Sequence, residues 1–237
     1  MAYGAEHFRV VSKEAEIVQE FFKKQDVTYM WRPFTVGTEY TSHGSLSIVV
    51  APSNDQRKKM RRVVASEVSN PYRLCWLLEK RFKEVDNFVC FVHNQCISGA
   101  VVDVRVVVRQ YCGKVIRKMM FKKIYFGEGK KDGGAGVKEE EDINSPFTML
   151  SVMYAFCLFD YMPSLRRSDL NGHEQIMKEA IKIVNKCHDP IIDERVRAWR
   201  EGKKKEAEDL LAILLSIKDS KGKPFLSAEE IKAQAAV

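Results

Sequence analysis

The chain has 237 residues, 45% of them hydrophobic and 30% charged, with a net charge of +7 and a sequence pI of about 9.0. Aromatic and branched apolar residues run along its whole length, which excludes a disordered chain and provides for a sizeable core. The basic balance suits an anionic partner such as nucleic acid, an anionic membrane surface or an anionic cofactor, and it equally suits solubility alone.

The opening residues, Met1 to Arg9, hold no apolar core of a signal peptide, and no run of eighteen apolar residues occurs anywhere. The six cysteines, Cys75, Cys90, Cys96, Cys112, Cys157 and Cys187, form no CxxC pair. Most sit among apolar neighbours, so they read as reduced, buried thiols in a cytosolic setting rather than a disulfide framework.

In chain order, His7 to Val11 predicts a short strand, and Ser12 predicts the cap of a helix that carries Ala15, Val18, Phe21 and Phe22 and ends near Lys24. From Trp31 to Ser47 the chain is rich in Gly, Thr and Ser without a period and predicts a long loop. Ile48, Val49 and Val50 predict a brief extended stretch ended by Pro52. Ser53-Asn-Asp-Gln56 then starts a cationic helix, Arg57-Lys-Lys-Met-Arg-Arg62. Asn70-Pro71 opens another helix, with proline at the first position, and Leu74, Leu78, Val85, Phe88, Val89 and Val92 form its apolar stripe. Val102 to Met120 predicts a helix, with a strand as the rival because Val106, Val107 and Val108 are β-branched.

Gly127 to Gly136 predicts a glycine-rich loop. Ser145-Pro146 predicts a helix start running to about Phe159, and Asn171 to Glu174 opens the longest helix, to about Glu201, with Pro190 inside it. Glu206 to Ile217 predicts a shorter helix, followed by a turn at Asp219 to Gly222. Ser227-Ala-Glu-Glu230 is a capping box, and it places a strong helix start close to the last residue, Val237. That placement predicts a natural chain longer than this one. The expected fold is mainly α with minor β.

Several residue sets suggest chemistry. Arg57 with Arg61, and Lys58 with Arg62, lie i, i+4, a spacing at which like charges repel by a few tenths of a kcal/mol. Gathering cations this way makes sense against an anion, and the planar arginine fork suits a carboxylate. A solvated basic face is the plainer reading, and phosphate, nucleic acid and haem propionate all stay open. Cys90, His93 and Cys96 have metal-binding side chains at i, i+3, i+6, yet no fourth ligand is evident, so a buried thiol face is favoured. The loop from Phe126 to Gly136 has phosphate-loop glycine density without the flanking strand or the Gly-Lys-Ser/Thr ending, and reads as a flexible connection. Cys187-His188-Asp189 sets a thiol beside a base, but neighbouring helical residues point apart. Lys203 to Lys205 reads as a solvated turn.

The order of these signals resembles the cytochrome P450 family of haem-thiolate monooxygenases. Ala51-Pro-Ser-Asn-Asp-Gln-Arg57-Lys-Lys-Met-Arg61-Arg62 is similar to the family's helix with a Trp-x-x-x-Arg motif. The match sets Arg61 on the arginine that binds a haem propionate and Arg57 on the tryptophan, a departure from the pattern. Val107 to Arg117, Asp160 to Arg166, and Asp189 to Arg195 with Trp199 to Gly202 are similar to plant amino-acid N-monooxygenases, which turn amino acids such as tyrosine or phenylalanine into aldoximes.

The resemblance implies one partial cytochrome P450 domain over residues 1–237, from the early helices to the start of the central helix. The family's membrane anchor and haem-binding half are expected to lie outside it. It implies haem held at Arg61 and Arg57, an NADPH-dependent reductase and an amino-acid substrate as partners, and residence of the full-length enzyme on the cytosolic face of the endoplasmic reticulum membrane. It implies no nucleic acid. None of the cysteines has the family's haem-loop glycine and arginine before it, so no catalytic or metal-ligating residue is expected in this chain. The chain alone is expected to be inactive and soluble. The rival is a helical module that binds an anion or nucleic acid through Arg57 to Arg62, with a steep salt dependence.

Overall fold

The computed structural model describes residues 13–30, 32, 35–41, 43–122, 136–153, 155–162, 164, 169, 172–203 and 206–236. The strand expected at His7 to Val11, the cap at Ser12 and most of the glycine-rich loop lie outside these. The described chain is helical: α1 (Ala15–Gln19) continues into a π-helical turn at Glu20–Lys24, followed by α2 (Asp26–Tyr29), α3 (Val36–Thr41) and α4 (Asp55–Val63), which a second π-helical turn at Val64–Val68 extends. Then come α5 (Pro71–Trp76), α6 (Leu78–Ile97), α7 (Val104–Phe121), α8 (Val137–Met153), α9 (Leu158–Tyr161), α10 (His173–Arg200), α11 (Leu210–Ser216) and α12 (Ala228–Ala235). Among the described residues, β pairing is confined to one isolated bridge between Lys218 and Pro224.

The long α10 is the spine. Its Met177, Ala180, Ile181 and Val184 pack on Met149 and Met153 of α8, together with Val50 and Ala236. Further along, Ile191, Ile192 and Val196 meet Met60 and Val63 of α4, Phe121 of α7, Leu211 and Leu214 of α11, and Ile231 of α12. A 3.6-residue period aims these positions at one face. The β-branched run of α7 stays helical because Asp103 caps it, accepting from the Val106 amide at 3.2 Å, and Val107, Val115 and Phe121 point inward together.

The structure corrects five sequence expectations. The loop from Trp31 to Ser47 contains α3. Thr35 and Thr38 cap each other there, with bonds of 2.9 and 3.2 Å, and the Val36 amide donates to Asp160 Oδ1 at 2.7 Å. Ile48 to Val50 is a turn rather than an extended stretch, since the amides of Val50 and Ala51 both donate to the Ser47 carbonyl. Just before it, His43, Gly44 and Ser45 are all left-handed, with φ of 44°, 77° and 65°.

The helix expected to begin at Ser145 begins at Val137 and ends at Met153, with Pro146 inside it. Ser145 is not its cap, because the hydroxyl donates back to the Glu141 carbonyl at 2.8 Å. The acidic Glu140 and Glu141 instead lie in the first turns, where the helix dipole favours negative charge. The short helix expected from Glu206 starts later, at Leu210, because the Asp209 side chain caps it and accepts from Ala212.

The last correction concerns α6. Half of its expected apolar stripe faces out: Leu74, Leu78 and Val89 are exposed, as are Cys75, Cys90 and Cys96, while Val85, Phe88 and Val92 are half-buried. The helix meets α7 through the row of Phe88, whose ring centroid lies 5.4 Å from that of Tyr111, and of Glu84, which is buried and paired with Lys118.

Two glycines let α8 approach its neighbours. A Cβ on Gly37 would lie 2.9 Å from both Cα and the carbonyl oxygen of Met153, and one on Gly113 would meet the Ile143 side chain at 2.8 Å. Gly37→Ala confronts backbone, which cannot rotate away, and should lose about 1–3 kcal/mol by overpacking. Gly113→Ala confronts a side chain that can shift, and the roughly 1 kcal/mol gained by replacing a helical glycine offsets much of the strain. Urea midpoints of the two variants should therefore separate, with the Gly37 variant far lower.

Candidate functional site

α4 begins cleanly because Asn54 Oδ1 accepts the Arg57 amide at 3.1 Å and Asp55 sits in the first turn. Met60 and Val63 are its buried positions. The cations around them have separate roles. Arg57 Nη1 donates to the Met30 carbonyl at 3.0 Å. Lys58 pairs loosely with Asp55 at 3.3 Å on the exposed side. Lys59 turns inward, donates to both carboxylate oxygens of Glu230 at 2.6 and 2.8 Å, and stands 5.1 Å from the centroid of the Phe225 ring. Arg61 and Arg62 are exposed. The run is therefore not one uniform basic surface of the kind a nucleic-acid module presents. Arg57 and Arg61, one turn apart, share a side of α4, and no carboxylate among the described residues lies within ion-pair reach of either.

Glu230 does two jobs. Its Oε2 accepts the Ser227 amide at 2.8 Å while Ser227 Oγ accepts the Glu230 amide at 3.1 Å, so the capping box read from the sequence is complete. The same carboxylate holds Lys59, 171 residues earlier in the chain. Burial pushes its titration up, but hydrogen bonds from Lys59, the Ser227 amide and Gln56 outweigh that and hold it below its ordinary range. Sequence spacing reveals the cap; it carries no signal of the pairing with Lys59.

A second polar centre lies between α7, α8 and α10. Asp142 is wholly buried against Arg117, and His188 Nε2 is 3.8 Å from the same carboxylate. Beside them is a cavity of about 160 Å³ lined by Ile116, Ile143, Phe147 and Leu150. Burial is the main influence on His188 and lowers its pKa, with Asp142 pulling it up and Arg117 pushing it down. A histidine of lowered pKa keeps its stabilising contribution above the ordinary value of 6.5 and loses it as the pH falls toward the lowered value, because the unfolded chain takes up the proton first. His188→Gln should flatten the fall in urea midpoint below pH 6.5 while leaving the profile above it parallel to wild type.

The remaining sequence candidates do not assemble into sites. Burial, with help from Asp142, pushes the Cys187 thiol up to about 12, so it is no thiolate nucleophile beside His188. Cys90, His93 and Cys96 are all exposed, which replaces the buried thiol face expected there, and no metal-holding group of His, Cys, Asp or Glu occurs among the described residues. Lys203 is exposed and pairs with Glu201 at 2.6 Å. Among the described residues no helix is long and apolar enough to cross a membrane.

The family model for cytochrome P450 matches residues 2–237. The chain belongs to the cytochrome P450 family. Among curated proteins it is similar to the tryptophan N-monooxygenase of Prunus mume, 49% identical over 92% of this chain and 42% of that protein. It is 47% identical to the tyrosine N-monooxygenase of Sorghum bicolor, over 93% of this chain and 40% of that protein. It is 48% identical to the phenylalanine N-monooxygenase of Arabidopsis thaliana, over 92% and 42%. The chain thus spans about two fifths of the length of these relatives. As a cytochrome P450 sequence it has the expected helical architecture, and the basic run of α4 falls inside the family match.

Proposed function

We propose that this chain is part of a plant amino-acid N-monooxygenase, which hydroxylates the amino nitrogen with molecular oxygen on the way to an aldoxime. The observation that carries this is the identity of 44–49% with tryptophan, tyrosine, phenylalanine and valine N-monooxygenases over nine tenths of the chain. The whole protein would take electrons from an NADPH-dependent reductase at the endoplasmic reticulum membrane. Haem, once bound, supplies the oxygen activation.

The donor set of α4 fits the two propionates of that haem. Arg61 is exposed with its fork free of any carboxylate among the described residues, and Arg57 on the same side keeps further N–H groups beyond the one on Met30. Arg61 is thus the main propionate residue and Arg57 the auxiliary one. Arg61→Ala should weaken binding of ferric protoporphyrin IX about tenfold, the scale of one charged hydrogen bond, and Arg57→Ala less. Soret titrations of the two variants check this. None of the six cysteines has the family's haem-loop glycine and arginine before it, so the 237 residues alone should show no turnover.

The deciding experiment expresses the whole protein with a plant reductase in microsomes and supplies tryptophan, tyrosine, phenylalanine and valine separately. Aldoxime formed from at least one of them supports the reading. Oxidation of some other substrate class, with all four amino acids untouched, overturns it.

A further inference from the structure

We propose that Glu230 and Lys59 form a positioning pair that sets the roll of α4, and through it the aim of Arg57 and Arg61; this rests on the propionate reading above. The two arginines lie one row round the helix from the inward row of Gln56, Met60 and Val63. Their direction is therefore fixed by how α4 is rotated about its own axis. The apolar contacts of Met60 and Val63 press α4 onto the core but define that rotation loosely, because such contacts are not directional.

Directional bonds define it instead, and they converge on α12. Lys59 grips both oxygens of Glu230. Glu230 cannot swing away, since its Oε2 also accepts the Ser227 amide and it is only 6% exposed. Gln56, one turn before Met60, donates to the Leu46 carbonyl at 3.3 Å, and Gln234, one turn after Glu230, donates to the same oxygen at 3.3 Å. One chain segment, one turn of α4 and one turn of α12 thus share a small polar lock.

A buried ion pair of this kind is weak evidence for stability, because desolvation offsets most of its attraction, and its better-attested use is to specify geometry. The geometry matters here. With side chains about 5–6 Å from the axis, a roll of roughly 20° carries an arginine tip by about 2 Å. That is enough to lose the bidentate fit of a guanidinium to a carboxylate.

The test uses the whole protein, freed of haem, and two probes, ferric protoporphyrin IX and its dimethyl ester, which differ only in the propionate charges. Soret titration gives the ratio of their affinities, and far-UV circular dichroism follows the fold. The wild-type protein should prefer the diacid. Glu230→Gln keeps the capping hydrogen bonds, since glutamine serves at that position, and Lys59→Met leaves the cap untouched. Each should reduce the preference about tenfold, the loss of one charged hydrogen bond, with ester affinity and circular dichroism unchanged. Lys59→Arg should keep the preference.

If both variants retain the wild-type preference, the positioning role is wrong and the propionate reading stands. If acid and ester affinities fall together with helical signal, the pair only holds the fold and the positioning role is again wrong. If the wild-type protein shows no preference, or binds neither probe, the propionate reading itself fails and takes this inference with it.

Discussion

Replacing Asp209 with alanine should lower the stability of the chain by about 4–6 kcal/mol, close to the whole stability of a small domain. Two losses add. Asp209 Oδ1 caps α11 by accepting the Ala212 amide at 2.8 Å, and removing a cap of this type costs about 1 kcal/mol. Asp209 Oδ2 accepts from Arg195 Nη2 at 2.9 Å in a site where the two side chains are 0% and 10% exposed. Deleting one partner of a buried ion pair costs roughly 3–5 kcal/mol, because the surviving charge stays out of water without its counterion. Arg195 would keep the Phe121 carbonyl at 3.2 Å, a neutral acceptor. Asp209→Asn should recover about 1 kcal/mol of the loss, since asparagine caps as well as aspartate but carries no charge. Urea unfolding followed by circular dichroism checks both. An Asp209→Ala midpoint within error of wild type would mean that Arg195 is not held as a buried charge.

That interaction shows where reading from sequence stops. The helix starts at Asn54, Asn70 and Ser227 were legible because a cap is a local event: a side-chain oxygen reaches an amide three residues on. The long helix α10 was legible from its period. The helix α3 was not. Its stability comes from Asp160, 124 residues away, and from Tyr40, whose hydroxyl donates to Glu174 at the start of α10. Likewise only half of the apolar stripe read on α6 turns inward, at Val85, Phe88 and Val92, because periodicity says only that a face exists. Which face meets α7 is decided by Glu84 and its partner Lys118, and a buried glutamate is the last residue a hydropathy pattern would place inside. For the candidate site the division is the same. The arginines of α4 were visible as residue types at a spacing, whereas the separate roles of Lys59 and Arg61 depend on Glu230 of α12, 171 residues after Lys59.

Asp142→Ala should be nearly as damaging as the change at Asp209, at about 3–5 kcal/mol, and for a related reason without the cap. The Asp142 side chain is 0% exposed and lies against Arg117, which is 7% exposed, so alanine leaves a guanidinium deep between α7 and α8. The cavity beside the pair already holds about 160 Å³, and truncation enlarges it. Space of that size next to a charge will admit water, which offsets part of the loss and sets the lower end of the range. The double change Asp142→Leu with Arg117→Met removes both charges and fills part of the space. It should therefore regain most of the stability, as replacing a buried ion pair by apolar side chains often does. It also strips His188 of the carboxylate that pulls its pKa up and the guanidinium that pushes it down, leaving burial in control. A double variant as unstable as the single one would show that the charge left on Arg117 is not what makes the loss of Asp142 costly.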